Sequence, residues 1–293
     1  MITLATIQTD IKTDVRANGR NIRTALLKAA QAGARLAHVP ECALSGYVES
    51  EIFDWADVDW TALQEELAET AALAGRLGIW VVLGANHRLP AGRGTLLWPQ
   101  NSLYVISDTG ILAGRYAKRL CSNTELTYWY TPGVDPLVFD VDGIRFGCAL
   151  CIEVVFPHLF TEYERLGVQC MLLSTYSNDP IHGIMARAHA ATNGYWLSLA
   201  SPVACSRTLP SMLLGPDGNP VGQCPTGRPA MLLNTIDPGS DRYRVALRMA
   251  RPWRARVRSG ELHASRARST QPAPGPANRP LPPRSGNLPR SGK

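Results

Sequence analysis

The sequence predicts an α/β fold in which two sheets are sandwiched between layers of helix. Three observations lead there. Residues 1–240 alternate strand, helix and hairpin patterns with no linker between them. The run 79–85, IWVVLGA, is apolar on both faces, as a central strand requires. The run 144–150 places Ile144, Phe146, Cys148 and Leu150 on one face, alternating with Arg145, Gly147 and Ala149.

Taken in order, Thr3 to Gln8 reads as a first strand, and Asp14 caps a helix with Val15, Ile22, Leu26 and Ala29 at helical spacing. A second strand over 35–39 ends at Pro40, followed by the loop PECALSGY. Thr61 and Gln64 fit a capping box for a helix that Gly78 closes. Strands over 101–107 and 111–116 pair across Asp108-Thr109-Gly110. The segment 118–136 is a long loop, and its Tyr128, Trp129 and Tyr130 argue for an ordered, functional one. A hairpin at Asp142-Gly143 leads into the strand that ends at Cys151. Helices over 157–166 and 183–193 and strands over 169–175, 195–200, 209–214, 221–224 and 231–236 complete the pattern. No internal repeat is visible.

The composition is that of a soluble globular protein, with 45% hydrophobic and 18% charged residues. No apolar run approaches the roughly 18 to 20 residues that span a bilayer, so no membrane partner is expected. The opening MITLATIQTD has no basic region, and a cytoplasmic location is the expectation. Seven scattered cysteines do not form a disulfide framework. The net charge of +6 is unevenly distributed: residues 1–241 hold 17 Lys+Arg against 23 Asp+Glu, while 242–293 hold 13 against one. The strand and helix pattern decays from Arg242, so 241–263 reads as an extension with a role in subunit contact. Residues 264–293, with seven prolines and six basic residues, read as a disordered tail. The tail lacks stacking aromatics and the body is acidic, so no nucleic-acid partner is expected.

Three reactive residues follow strand ends: Glu41, Lys118 and Cys151. The C-terminal ends of neighbouring strands converge in space, which is where α/β proteins build sites. A cysteine nucleophile needs a base for its proton and a donor for the developing oxyanion. Glu41 and Lys118 are candidates for those two tasks. The pair Cys148 and Cys151 spells C-x-x-C, but no second cysteine pair completes a zinc site, so no metal is expected. A Cys–His hydrolase and a non-catalytic scaffold remain open as alternatives.

The motifs Pro40-Glu41 with Ser45-Gly46-Tyr47, Tyr116-x-Lys118, and Cys151-x-Glu153 with Phe156-Pro157 resemble the three signature regions of the nitrilase superfamily of carbon–nitrogen hydrolases. Ala186-Arg187-Ala188, Asn193-Gly194-Tyr195, and Ser211 through Pro216-Asp217-Gly218 resemble its later motifs, and the resemblance covers about residues 1–237. It implies a four-layer αββα sandwich that pairs with a second subunit, hence a homo-oligomer. It also implies a Glu41–Lys118–Cys151 triad, with Glu125 as a second glutamate that positions Lys118 or the substrate. Chemistry of this kind needs no cofactor: Cys151 attacks a small amide, the Ile152 N–H and Lys118 hold the oxyanion, and water releases the acid from a thioester. Ile152 stands where aromatic nitrilases carry tryptophan, which favours an amide over a nitrile. Tyr128, Trp129, Tyr176 and Asn178 lie on loops expected to line the substrate pocket.

Overall fold

The computed structural model describes residues 1–90 and 97–264. The expected disordered tail therefore falls, from residue 265 onward, outside the described residues. The chain divides into two units, Met1–Trp253 and Arg254–Lys293.

The first unit is a four-layer αββα sandwich. One sheet orders its strands β12 (Ala230–Ile236), β1 (Ile2–Gln8), β2 (Leu36–His38), β3 (Trp80–His87), β4 (Gln100–Ile106) and β5 (Leu112–Ala117). The other orders β11 (Pro220–Gln223), β10 (Met212–Leu214), β9 (Trp196–Ala200), β8 (Cys170–Ser174), β7 (Ile144–Leu150) and β6 (Val138–Val141). Helices α1 (Val15–Gln31) and α2 (Trp60–Leu77) cover the first sheet, and α3 (Pro157–Arg165) and α4 (Ile181–Asn193) cover the second.

The alternation read in the sequence explains the layers. Phe146, Cys148 and Leu150 of β7 meet Leu4, Leu36, Val82 and Leu103 of the first sheet in an apolar layer between the sheets. Ala149, on the opposite face of β7, packs under α3 and α4 with Phe160, Tyr163 and Ala186. The central strands are thus buried on both faces and carry almost no charge.

From β12 across the first sheet, neighbours pair antiparallel, parallel, parallel, antiparallel, antiparallel. From β6 across the second, the same series recurs. The structure therefore contains a repeat of topology that residue identities do not show. Buried strands need only be apolar and of the right length, so the two halves share a pattern without sharing a sequence.

A polar string crosses the apolar layer. The Ser174 hydroxyl donates to the Val39 carbonyl at 2.9 Å, so its oxygen accepts from His38 Nε2–H at 2.8 Å. His38 Nδ1 is then an acceptor for Ser198 at 2.9 Å, and Ser198 accepts from Thr6 at 2.7 Å. Burial pulls the His38 pKa down to about 3, which keeps the ring neutral. The string joins β2 to β8 at the last residue of each strand.

Two local expectations are corrected. The cap of α2 is Asp59, whose carboxylate accepts from Ala62 N–H at 2.9 Å, not the box of Thr61 and Gln64. Asp59 lies outside the first turn with a non-helical backbone, and its acceptor reaches the third free N–H, which a residue already inside the helix cannot do. The decaying pattern after residue 240 gives way to helical turns: Asp241–Tyr243, Val245–Ala250 and α5 (Arg251–Arg258). Alanine and arginine favour helix, and Pro252 is tolerated in a first turn. In the second unit, Arg256 and Glu261 form an exposed ion pair at 3.0 Å.

Asp59→Ala is expected to lower stability by about 1 kcal/mol, whereas Thr61→Ala leaves it within about 0.5 kcal/mol. Urea titration of the two variants separates the observed cap from the one read in the sequence.

Candidate active site

Four strand ends converge. Glu41 lies three residues beyond β2, Lys118 directly follows β5, Cys151 directly follows β7 and Thr175 directly follows β8. Gly84 of β3 makes room for the first of them. A Cβ there would lie 2.2 Å from the Pro40 carbonyl oxygen and 2.6 Å from the Cys42 nitrogen, so only glycine lets the 40–42 backbone lie against the strand. An isolated glycine inside an otherwise apolar strand is the signal in the sequence for such an approach.

Lys118 is 1% exposed and sits between two carboxylates. Its Nζ donates to Glu125 Oε1 at 2.6 Å and to Glu41 Oε1 at 3.1 Å. Burial opposes the ammonium, but Glu41 and Glu125 outweigh it and hold its pKa well above the ordinary lysine value. Burial also opposes the charge on Glu125, and there Lys118 and the Ser122 N–H win, keeping its pKa below the usual carboxylate range. Glu41 goes the other way: burial, with the repulsion of Glu125 added, raises its pKa despite Lys118. Its Oε2 is buried and without a hydrogen-bond partner.

The position of Glu125 has a local cause. The Ser122 hydroxyl accepts from Glu125 N–H at 3.2 Å and the Ser122 N–H donates to Glu125 Oε2 at 2.8 Å. This is a capping box, Ser-x-x-Glu, opening helical turns over residues 123–129 within the segment read as a long loop. The Tyr47 hydroxyl donates to the same Oε1 that binds Lys118, at 3.0 Å.

Cys151 has φ +45°, a left-handed conformation that costs an L-residue about 1–2 kcal/mol. It opens a 3₁₀ turn, Cys151–Val155. The first N–H groups of such a turn, Ile152 among them, have no acceptor within the turn and point toward its start. The thiol is 6% exposed, contacts the Tyr176 carbonyl at 3.7 Å and accepts from the Thr175 hydroxyl at 3.4 Å. Burial, then the charge of Glu41, pushes it up to about 12, against the pull of Lys118. It rests as a thiol and needs a base.

The elbow is held by Glu153, to which the sequence reading assigned no role beyond its place in the motif. Its carboxylate is fully buried and takes the Tyr116 hydroxyl at 2.7 and 2.8 Å, Arg119 N–H at 2.7 Å, Leu120 N–H at 3.1 Å and Leu150 N–H at 2.7 Å. It therefore ties the end of β5, where Lys118 sits, to the end of β7, where Cys151 sits. Tyr47 and Asn101 were likewise missed as site residues; both carry polar atoms into the Glu41–Lys118–Glu125 cluster.

The structure thus brings Glu41, Lys118, Glu125, Cys151 and Ile152 together. Of the four pocket residues expected from the loops, Tyr176 stacks on Tyr47 with centroids 4.9 Å apart and donates to Glu51 at 2.7 Å. Trp129 donates to Glu49 at 3.2 Å and packs its ring against Trp55. Tyr128, 62% exposed, and exposed Asn178 make no hydrogen bond to the cluster among the described residues. Cys148 is buried between the sheets, and all seven cysteines are free, so the C-x-x-C spacing forms no disulfide. His38, bound to Ser174 and Ser198, and His189, bound to the Val154 carbonyl, are engaged away from the thiol. Among the described residues, no helix is long and apolar enough to cross a membrane and no cluster of side chains is arranged to hold a metal ion.

An αββα sandwich with glutamate, lysine and cysteine at converging strand ends is the architecture of carbon–nitrogen hydrolases. The chain belongs to this family: the carbon-nitrogen hydrolase family model matches residues 3–243. Nitrilase homolog 2 of Dictyostelium discoideum is 24% identical over 187 residues, 60% of this chain and 55% of that protein. A hydrolase of Mycobacterium tuberculosis is 27% identical over 166 residues, 54% of this chain and 55% of its own. The match thus spans about half the length of these curated relatives. The fold is similar to that of a cysteine-to-alanine mutant of an amidase of the nitrilase superfamily from Nesterenkonia AN1, with TM-score 0.73 and 22% identity over 90% of this chain and 96% of that one. A complex of the same amidase with butyramide aligns with TM-score 0.69 and 24% identity, over 79% of this chain and 89% of that one.

Glu153→Gln replaces an acceptor-only group by an amide whose NH₂ must face a backbone N–H. It is expected to cost about 1–3 kcal/mol in urea denaturation and to widen the elbow, with loss of Cys151 reactivity in the folded variant.

Proposed function

We propose that the protein hydrolyses the carbon–nitrogen bond of small amides through a thioester on Cys151, releasing ammonia and a carboxylic acid. The observation that carries this reading is the division of labour within one buried cluster. Lys118 is locked as a cation by Glu125, while Glu41 keeps a raised pKa and one carboxylate oxygen without a partner. A carboxylate with a raised pKa beside a thiol that needs a base is equipped to move protons.

In the mechanism, Cys151 Sγ attacks the amide carbon as its proton passes to Glu41. Lys118 Nζ and the Ile152 N–H stabilise the oxyanion. Glu41 then gives the proton to the leaving nitrogen, the C–N bond breaks and ammonia departs from the thioester. A water molecule, deprotonated by Glu41, attacks the thioester carbon; the C–S bond breaks, the proton returns to the thiolate and the acid leaves. Nothing in these steps calls for a cofactor. The thiol's hydrogen-bond partners are Thr175 and Tyr176, not a histidine, which disfavours a Cys–His mechanism. A cytoplasmic setting, where thiols stay reduced, suits the seven free cysteines.

Cys151→Ala, Lys118→Ala and Glu41→Gln are each expected to lower turnover on the order of 10³-fold or more while the far-UV spectrum is kept. Ammonia release from matched amides and nitriles is the assay. Faster turnover of the nitriles would replace the amide by the nitrile as substrate, and wild-type rates in any of the three variants would remove the triad.

The active unit is further proposed to be a homodimer or larger. Ile184 of α4 and Leu166 after α3 expose large apolar side chains, which a second copy would cover. Light scattering at assay concentration is expected to give at least twice the 31.9 kDa chain mass, and a fully active monomer would overturn this.

A further inference from the structure

Glu41 has one oxygen occupied and one empty, and the residue that settles which is Asn101 of β4. Asn101 is fully buried, and its Nδ2 donates to Glu41 Oε1 at 2.7 Å. Its main-chain carbonyl accepts the Lys118 N–H at 2.8 Å. One residue therefore grips both the carboxylate and the lysine backbone. Its Oδ1 faces Cys42, whose sulfur lies 3.5 Å away. Burial and the charge of Glu41 push the Cys42 thiol well above its ordinary value, so it stays S–H and is a donor. A donor on the Oδ1 side and a carboxylate on the Nδ2 side leave the amide one orientation. Cys42 itself is held in a left-handed conformation, φ +51°, that aims its thiol at Asn101 and Asn86.

We propose that Asn101, steered by Cys42, is a positioning residue for the reaction: it engages Oε1 of Glu41 and so leaves Oε2 as the oxygen that exchanges protons with the thiol and the leaving nitrogen. The inference rests on the reading of Glu41 as the base. Its physical content is twofold. The bond fixes the carboxylate rotamer, because Oε1 already receives Asn101 and Lys118 and has no room for a further donor. It also favours the ionised carboxylate, offsetting part of the burial that raises the Glu41 pKa.

Several groups around Glu41 titrate as well. The charged groups facing it are Lys118 and Glu125; the titratable ones are the thiols of Cys42, Cys121, Cys151 and Cys205 and the phenols of Tyr47 and Tyr130. The thiols and phenols are raised from values already at or above 9, Lys118 is raised from 10.5, and Glu125 is lowered from 4.5. Near the elbow, burial also raises Glu153 from 4.5 and lowers His182 from 6.5, so an acid limb above pH 4.5 is assigned to Glu41 by its loss in Glu41→Gln.

The test is the pH dependence of Cys151 alkylation by iodoacetamide, followed by peptide mass mapping between pH 4 and pH 9 on the full chain. This needs no knowledge of the natural substrate. Removing a hydrogen bond that favours the carboxylate raises its pKa, so the acid limb moves to higher pH. For Asn101→Leu the expected shift is about one pH unit or more upward, as the loss of a hydrogen bond to a charged group implies. Asn101→Asp conserves the volume, protects against a misfolded leucine variant, and is expected to move the limb further upward because two carboxyls then share one proton. A merely structural role would lower the amount of reactive protein and leave the limb in place; an unmoved limb in folded Asn101→Asp overturns the proposal. Glu41→Gln separates the two readings. If it abolishes the limb while the Asn101 variants keep theirs, the positioning role alone fails. If it retains the wild-type limb, Glu41 is not the base and both fail.

Discussion

The site depends on one electrostatic constraint: an ammonium and two carboxylates enclosed together, none more than a few per cent exposed. Enclosing charge is expensive unless it is paired and hydrogen-bonded. Lys118 answers one negative charge, so if both glutamates ionise the cluster holds one too many. The two carboxylates resolve this unequally. Glu125, with Lys118, Ser122 and Tyr47 as donors, keeps its charge. Glu41, with its second oxygen unpartnered, carries the surplus as a raised pKa. In the proposed mechanism that surplus is the driving force for taking the thiol's proton, since protonation of Glu41 neutralises the cluster.

Such a cluster is useful only if its members cannot relax away from one another. The αββα architecture supplies rigidity by placing Lys118 directly after β5, Glu41 just beyond β2 and Cys151 directly after β7, while the Ser122 cap sets Glu125. The Glu153 carboxylate then ties the ends of β5 and β7, and the His38 string ties β2 to β8 across the sheet interface. Both devices are buried polar networks with their members satisfied, which is the condition under which such networks specify geometry rather than weaken a core. The left-handed backbone of Cys151 belongs to the same design: local strain persists only where its surroundings over-determine it.

Sequence and structure agree where a local pattern has one outcome. Period-two alternation in 144–150 could bury only one way once both faces were covered, and β7 lies as read. The strand ends were legible because Pro40 and the charged residues beyond Ala117 stop apolar runs. The cap of α2 was misplaced since Thr61 and Asp59 both precede an apolar stripe, and the choice between them turns on which side chain reaches a free N–H. The box at Ser122 and Glu125 was present in the sequence but lies inside a long loop, with no periodic helix to point to it.

By itself the sequence determined the layers, the strand ends and the reactive residue types, because these follow from hydrophobic period, turn chemistry and side-chain chemistry. It placed Glu41, Lys118, Glu125 and Cys151 at the site through strand position and family motif. Only the tertiary structure decided their electrostatic roles. Which glutamate locks the lysine, which keeps a free oxygen, and how Asn101, Tyr47 and Glu153 enter all depend on contacts between residues tens of positions apart. A pKa is set by burial and neighbours, and neither is written in the order of the chain.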